Sequence, residues 1–421
     1  MILPRELLIS AFQAALDAAN PLILVPRHLP IPPKGRTLVI GGGKAAAAMA
    51  RAVEENWPAE APLSGMAVTR YGHGQPTSRI RVIEAGHPLP DDQGAEAARH
   101  MLREIQQLDR DDLLLVLLSG GGSSLLALPE TGIDMDDLRT VTKALLTSGA
   151  SIKDINTVRK HLTQFSGGRV AALSAAPVVS LIISDVVGNE PTHIASGPCA
   201  PDCTTYADAL ATLSRHSISP HDSIMNHLLR GLRGEIPETP KPVDSTSRNV
   251  ENHVVGSAAQ SLKADESLLD SQGFHVINLG EIEGEARELA SQHATMLREC
   301  RLRTDKPLAL LSGGEATVTV RNPTGHGGRN SEYLLALGLA LKDAENFWAI
   351  ACDTDGIDGT EDNAGAIWAP DTFAQSIQSG MNAEEMLQAN NAQEFFRSLD
   401  KLVMTGPTRT NVNDFRLALL I

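Results

Sequence analysis

The sequence predicts an α/β protein in two domains: a larger doubly wound domain over residues 1–235 and a smaller α/β domain with a mixed sheet over 236–421. Three observations carry this. Residues 113–118 read LLLVLL, an unbroken apolar run between Asp111-Asp112 and a turn, which is how a strand buried on both faces of a parallel sheet reads. The run breaks into Ser119-Gly120-Gly121-Gly122-Ser123-Ser124, and the same strand-to-glycine junction recurs at TLVIGGGK (37–44) and PLALLSGGE (307–315). From about 217 to 247 the chain turns rich in Pro, Ser, His and charge, as a domain boundary does.

Taken in order, MILPRELLISAFQAALDAA places apolar residues at helical spacing. It carries Glu6 and Asp17 and lacks the charged start and small-residue cleavage site of an export peptide, so it reads as a helix of the mature protein. The proline-punctuated stretch that follows cannot continue the helix. TLVIGGGKAAAAMARAVEE then reads as strand, glycines, Lys44 and helix, with Lys44 expected in the first turn beside the partly positive helix end. A cation there is unfavourable unless an anion joins it; a solvated surface lysine is the alternative. SGMAVTR (64–70) and RVIEAG supply two more strands, and 95–108 a helix. Residues 134–146 are helical by period. INTVRKHLTQFSGGRVAAL then gathers Asn156, Arg159 and Lys160 ahead of Gly167-Gly168-Arg169, either a solvated basic face or an anion clamp. VVSLIIS ends in Ser184-Asp185, a carboxylate at a strand end that can hold Mg²⁺, orient a hydroxyl or cap the next turn.

The second domain repeats the plan. HVVGSAAQSLKAD reads as strand, Gly-Ser and helix, GFHVINLG as a strand, and GEARELASQHATMLREC as a helix. After Ser312-Gly313-Gly314, alternating Thr and Val predict a half-buried antiparallel strand. GHGGRN presents Arg329 at a helix start, again unusual for a cation without an anion. Asp353, Asp355 and Asp358 follow a strand with glycines; the twelve-residue calcium series is missing, so a Mg²⁺ or hydroxyl-binding carboxylate fits better. The closing LVMTGPTRTNVNDFRLALLI is strand, polar loop and strand.

A chain of 421 residues with 36 basic and 51 acidic side chains, net charge -15, argues against a nucleic-acid or membrane-surface role, because phosphate-rich partners demand a basic face. The expected partner is a small molecule, with the chain a monomer or homodimer. Four cysteines, at 199, 203, 300 and 352, form no framework and suit a reducing cytoplasm. Glycine loops that cradle anions, with carboxylates for a divalent cation and no evident nucleophile–base pair, suit phosphoryl transfer. Neither the P-loop consensus nor the protein-kinase signatures are present. The competing class is a dinucleotide oxidoreductase: residues 41–46, GGGKAA, satisfy G-x-G-x-x-A between strand and helix. The next strand ends in Arg70, where an NAD site needs Asp or Glu, which leaves at best NADP.

LSGGGSSLL, INTVRKHL with SGGRVA, SDVVGNEPTHIASGP, LSGGEATVTV with GHGGRNSEYLLAL, TDGIDG with NAGA, and TGPTRTNVNDF together resemble the class II glycerate 2-kinase family. That family joins an N-terminal glycerate kinase domain to a C-terminal MOFRL domain, and many members carry the label hydroxypyruvate reductase. The resemblance runs in order through nearly the whole chain. It implies a Rossmann-like N-terminal domain, a cleft between the domains, and phosphorylation of the C2 hydroxyl of D-glycerate with ATP and Mg²⁺; the alternative is an NAD(P)H-dependent hydroxypyruvate reductase. The family's GKA lysine falls on Lys44 and its GGRN arginine on Arg329. The implied phosphate-binding loop is Ser119, Gly120, Gly121, Gly122, Ser123 and Ser124; Mg²⁺ lies near Asp185 or Asp355; glycerate is held by Asn156, Arg159, Asn411 and Asn413. Ser331 and Asn363 stand where Gln and Ala are expected in most relatives, at the cleft margin.

Overall fold

The computed structural model describes residues 3–243 and 249–421. The chain divides into two compact units, Pro21–Val255 and, jointly, Met1–Asn20 with Gly256–Ile421. This differs from the expected division at 235/236. The stretch from 217 holds a helix, Asp222–Leu232, whose Ile224 and Leu228 pack with Ile155, Val158, Tyr206 and Leu213 in the core of the first unit. Polar composition marked a surface there, not an end; residues 244–248 of the stretch lie outside the described residues.

The unit of residues 21–255 is built on six strands: β1 (Thr37–Gly42), β2 (Leu63–Arg70), β3 (Ile80–Ala85), β4 (Leu113–Ser119), β5 (Val178–Ile183) and β6 (Val250–Gly256), in the order β3-β2-β1-β4-β5-β6. β1 runs parallel to β2 and β4, β2 to β3, and β4 to β5. All seven residues of β4 are buried, as its uninterrupted apolar run requires of a parallel strand covered on both faces. Leu38, Ile40, Met66, Val116 and Leu118 meet Ala98 and Met101 of the helix Asp92–Ile105 in one core. That helix starts three residues before its predicted 95 because Asp91 caps it, its Oδ1 accepting the Gly94 N–H at 3.0 Å. The order of strands follows the doubly wound plan in which both β1 and β4 deliver their glycines to one edge of the sheet.

The other unit carries β7 (His275–Glu281), β8 (Gly284–Glu285), β9 (Leu308–Gly313), β10 (Ala316–Thr317), β11 (Phe347–Asp353), β12 (Gly365–Trp368), β13 (Leu402–Val403) and β14 (Asp414–Leu420). Six of them form a mixed sheet, β13-β12-β11-β14-β9-β7, in which only β7 and β9 pair in parallel. The antiparallel strand expected from EATVTV is cut to two residues, and these pair in parallel with β8. Side chains end the ladder: the Thr319 N–H goes to Glu285 Oε1 at 3.0 Å and the Arg321 N–H to Asn390 Oδ1 at 2.7 Å, so no strand can claim them.

The N-terminal helix, Pro4–Ala18, belongs here. Its Leu7, Leu8, Ala11, Phe12 and Ala15 lie in a core with Leu262, Leu269 and Phe415, and Ser261 Oγ donates to the Ala15 carbonyl at 2.8 Å. Among the described residues no single helix is long and apolar enough to cross a membrane.

One residue of the partner helix, Ala258–Ser271, is out of keeping with this packing. Asp265 is fully buried, three residues after Leu262 and four before Leu269, and neither carboxyl oxygen has a hydrogen-bond partner among the described residues. Burial pushes its pKa up to about 8. Between about pH 4 and 8 the folded chain therefore keeps a proton that the unfolded chain has released, so stability falls as pH rises through that window and levels off above it. The cost at high pH is of the order of 5 kcal/mol. Asp265→Leu is expected to raise the thermal midpoint more at pH 8 than at pH 5; equal gains at both, by scanning calorimetry, would refute the assignment.

Candidate active site

In the unit of residues 21–255, the ends of β1 and β4 are pressed together. A Cβ on Gly43 (φ 138°) would lie 2.1 Å from Ser119 Oγ and 2.5 Å from its carbonyl oxygen, so only glycine fits. The chain then turns through two bonds to the neighbouring loop: the Lys44 N–H reaches the Gly120 carbonyl at 2.8 Å, and the Ala45 N–H reaches Ser119 Oγ at 3.0 Å. Lys44 thus stands just before the helix Ala46–Asn56, outside its first turn, and its stem lies against the glycine loop: a Cβ on Gly121 (φ 83°) would meet Lys44 Cγ at 3.5 Å and the His87 ring at 2.9 Å. Gly121 is therefore partly exposed bare backbone flanked by Lys44 and His87, between the buried Gly120 and Gly122. The N–H groups of Gly122 and Ser123 open the short helix Gly122–Leu125 and have no acceptor within it.

The three loop serines differ. Ser119 is buried with its Oγ on the Ala45 N–H, and Ser124 is buried with its Oγ donating to the Pro88 carbonyl at 2.6 Å. Ser123 alone is half-exposed; its Oγ lies 2.8 Å from Ser196 Oγ. Ser196 in turn donates to Asn156 Oδ1 at 2.9 Å, while Asn156 Nδ2 donates to the His193 carbonyl at 2.9 Å. Asn156, expected to touch substrate, is buried and holds the protein's own loop. Lys160 is also committed, to Thr192 Oγ1 at 2.7 Å and Asp202 Oδ1 at 3.2 Å in a buried ion pair. Of the basic cluster, Arg159 differs: no carboxylate or hydrogen bond engages its guanidinium among the described residues, and burial lowers its pKa to about 10. A desolvated cation without a counter-ion is a site for an anion. Asp185 follows β5 at the same sheet edge, partly buried.

In the other unit Arg329 opens the helix Arg329–Ala340, as its glycines predict. Its anions are the protein's own: Nε donates to Asp414 Oδ1 at 2.7 Å, Nη1 to Glu315 Oε1 at 2.7 Å and Nη2 to Asp353 Oδ2 at 2.8 Å. Burial disfavours the charge, but the three carboxylates reverse this and hold the guanidinium well above its ordinary value. Arg329 thus ties together three carboxylates from separate segments of this unit. Burial likewise pushes the Asp414 carboxyl up, yet Arg329 and Arg416, with N–H bonds from Ala316 and Asn330, outweigh it and keep it below the usual range. Asp358 accepts the N–H groups of Asn330 and Ser331 at 2.9 and 2.8 Å, so it anchors the helix start and is closed to a ligand. Asp355 is buried, accepting the Ile357 N–H at 2.9 Å, and its own N–H goes to Asp353 Oδ1. Asn411 and Asn413 are buried beside them; the Asn413 carbonyl takes the Thr354 N–H and hydroxyl. Ser331 and Asn363 are fully buried, the first on Asp358 and the second on the Gly365 carbonyl, not at a margin. Among the described residues no three His, Cys, Asp or Glu side chains are grouped to hold a metal.

Two family models match the chain, a domain of unknown function (DUF4147) over residues 7–229 and the MOFRL family over 308–414. A chain of Agrobacterium vitis with a provisional hydroxypyruvate reductase name is 44% identical, covering 99% of this chain and 94% of that one. Glycerate 2-kinase of Pyrococcus horikoshii is 39% identical over 92% of this chain and 88% of its own. The crystal structure of glycerate kinase from Thermotoga maritima matches with a TM-score of 0.85 at 36% identity, over 99% of both chains. The chain belongs to the class II glycerate kinase family. In this class II glycerate kinase, four residues of these arrangements, His87, Ser196, Glu315 and Asp414, are not among the candidates that the sequence offers. His87 follows β3 in a His-Pro turn, a polar residue at a parallel strand's carboxyl end, which was a usable signal. The pairing of Glu315 and Asp414 with Arg329 joins three distant segments and leaves no local trace.

Removing Arg329 strands buried Asp414 and Asp353 without their cation. Arg329→Met should destabilise the chain by about 3–5 kcal/mol, seen as a lowered urea midpoint. An unchanged midpoint would show that the three ion pairs hold nothing together.

Proposed function

We propose that the protein is a glycerate 2-kinase, transferring the γ-phosphate of ATP to the C2 hydroxyl of D-glycerate. The observation that carries this reading is the setting of Arg159, a largely buried guanidinium with no counter-ion among the described residues, three residues from Asn156 and hence on the helix face that supports the glycine loop. An acidic substrate and a polyphosphate both need such cation-and-amide surfaces in a chain that is otherwise acidic. In this reading Arg159 binds the glycerate carboxylate and the backbone of residues 120–122 faces phosphate. Lys44 neutralises the transferred group. Asn411 and Asn413 add polar contacts to the substrate. Arg329 positions Asp353 and Asp414.

The C2 hydroxyl oxygen attacks the γ-phosphorus and the bond to the β–γ bridging oxygen breaks. ADP and 2-phosphoglycerate result, and the hydroxyl proton leaves to a nearby aspartate, Lys44 remaining the charge partner. Mg²⁺ suits this donor set, since it takes one or two carboxylates and fills its shell with water and phosphate oxygens. Asp185 or Asp355 would hold it, and when bound it supplies neutralisation of the phosphate charge. The protein is expected in the cytoplasm.

Purified protein given D-glycerate, ATP and Mg²⁺ should release ADP and form 2-phosphoglycerate rather than the 3-isomer. Lys44→Ala should lower kcat by at least about a hundredfold, the scale for a lost transition-state charge partner. Oxidation of NAD(P)H by hydroxypyruvate without ATP consumption would overturn the kinase reading in favour of the reductase.

A further inference from the structure

The hydrogen-bond chain from His193 to Ser123 has only one arrangement of protons. A backbone carbonyl cannot donate, so the group of Asn156 that faces the His193 carbonyl at 2.9 Å is Nδ2, and the group facing Ser196 is Oδ1. Oδ1 can only accept. Ser196 therefore directs its single proton to Asn156, and towards Ser123 it offers a lone pair. The 2.8 Å contact between the two hydroxyls is then a donation from Ser123 to Ser196. With its only proton turned inward, Ser123 presents nothing but lone pairs at the exposed side of the glycine loop.

The backbone enforces this order. Ala195, Ser196 and Gly197 all have left-handed backbones, with φ of 51°, 59° and 63°. For the two non-glycine residues that conformation is strained. The strained turn is held by the Gly167 N–H on the Ser196 carbonyl at 2.9 Å and the Gly168 N–H on the Gly197 carbonyl at 2.8 Å. On its other side, a Cβ on Gly122 would lie 2.6 Å from Ala195 Cβ, so the turn sits against the loop that carries Ser123.

We infer that Ser123 binds a hydroxyl group of the substrate, as acceptor, and does not bind a phosphate oxygen. Lone pairs repel the anionic oxygens of a phosphate and attract an O–H donor. The chain ends on an amide oxygen, which cannot take up a proton at neutral pH, so Ser123 orients the hydroxyl and is not its general base. Arg159, one helical turn beyond Asn156, supplies the cation for a carboxylate on the same small molecule. A hydroxyl acceptor and a carboxylate-binding guanidinium joined through one asparagine form a recognition pair for a short hydroxy acid. The identity of that acid as glycerate rests on the kinase reading; the proton order does not.

Two measurements separate these. Neutron diffraction from deuterium-exchanged crystals should place the Ser123 deuteron on the line to Ser196 Oγ. A deuteron directed to the exposed side of the loop overturns the inference. In calorimetric titrations Ser123→Ala should weaken D-glycerate binding at least about fivefold, the loss of one hydrogen bond, and leave ATP within about twofold. Ser196→Ala, which frees the Ser123 proton, should weaken D-glycerate as well. Weaker ATP with unchanged D-glycerate in Ser123→Ala overturns the inference. Wild-type protein that binds no D-glycerate but shows the expected deuteron refutes the proposed substrate, while the acceptor-only serine stands.

Discussion

The contact between Gly43 and Ser119 is the constraint on which the candidate site in the parallel-sheet unit depends. Parallel pairing brings the ends of β1 and β4 to the same sheet edge, and the missing Cβ lets one chain turn directly over the other. Everything next to it follows from that closeness. Ser119 can reach the Ala45 N–H at the start of the helix, Gly120 can receive the Lys44 N–H, and the stem of Lys44 comes to lie along Gly121. A single methyl group at position 43 would separate the lysine from the loop.

The mixed-sheet unit solves a different problem, the retention of several like charges in a dry interior. Asp414 gathers Arg329, Arg416, Asn330 and the Ala316 N–H around two oxygens, and Arg416 in turn lies over the Tyr333 ring, 5.3 Å from its centroid. Burial of such groups contributes little net stability when it is complete. What it secures is position: β14, the loop after β9, the end of β11 and the start of the helix Arg329–Ala340 are tied at one point. Asp358 then fixes the same helix start from the acidic loop.

Strand ends were legible because period and glycine are local signals. β1, β4, β5, β9 and β11 lie where apolar runs meet glycine, serine or aspartate, whereas the stretch of alternating Thr and Val stands outside the mixed sheet. The fate of each polar side chain was not legible in the same way. Asn156 and Arg159 read alike from the sequence, both as ligands for an anion, yet one is consumed by Ser196 and His193 and the other is left with no partner among the described residues. Arg329 was correctly placed at a helix start as a cation in need of anions; the anions come from Glu315, Asp353 and Asp414, residues up to 85 positions away. Long-range pairing of this kind has no period and no spacing to read. The compact units divide elsewhere than at 235/236 for a related reason: polar composition records exposure, while membership of a unit is decided by which sheet a strand joins.

The first helix completes the core of a unit whose other residues begin only at Gly256. During synthesis it leaves the ribosome ahead of its partner, which is encoded some 235 residues later, and must wait for it. At about 5–20 residues per second that interval is roughly 12–50 s. Throughout it, Leu7, Leu8 and Phe12 have no native surface to cover them, while the intervening unit can complete its own sheet. The intervening unit can therefore fold ahead of the one that encloses it in sequence, and through that interval the apolar face of the helix Pro4–Ala18 is the stretch that a chaperone would meet.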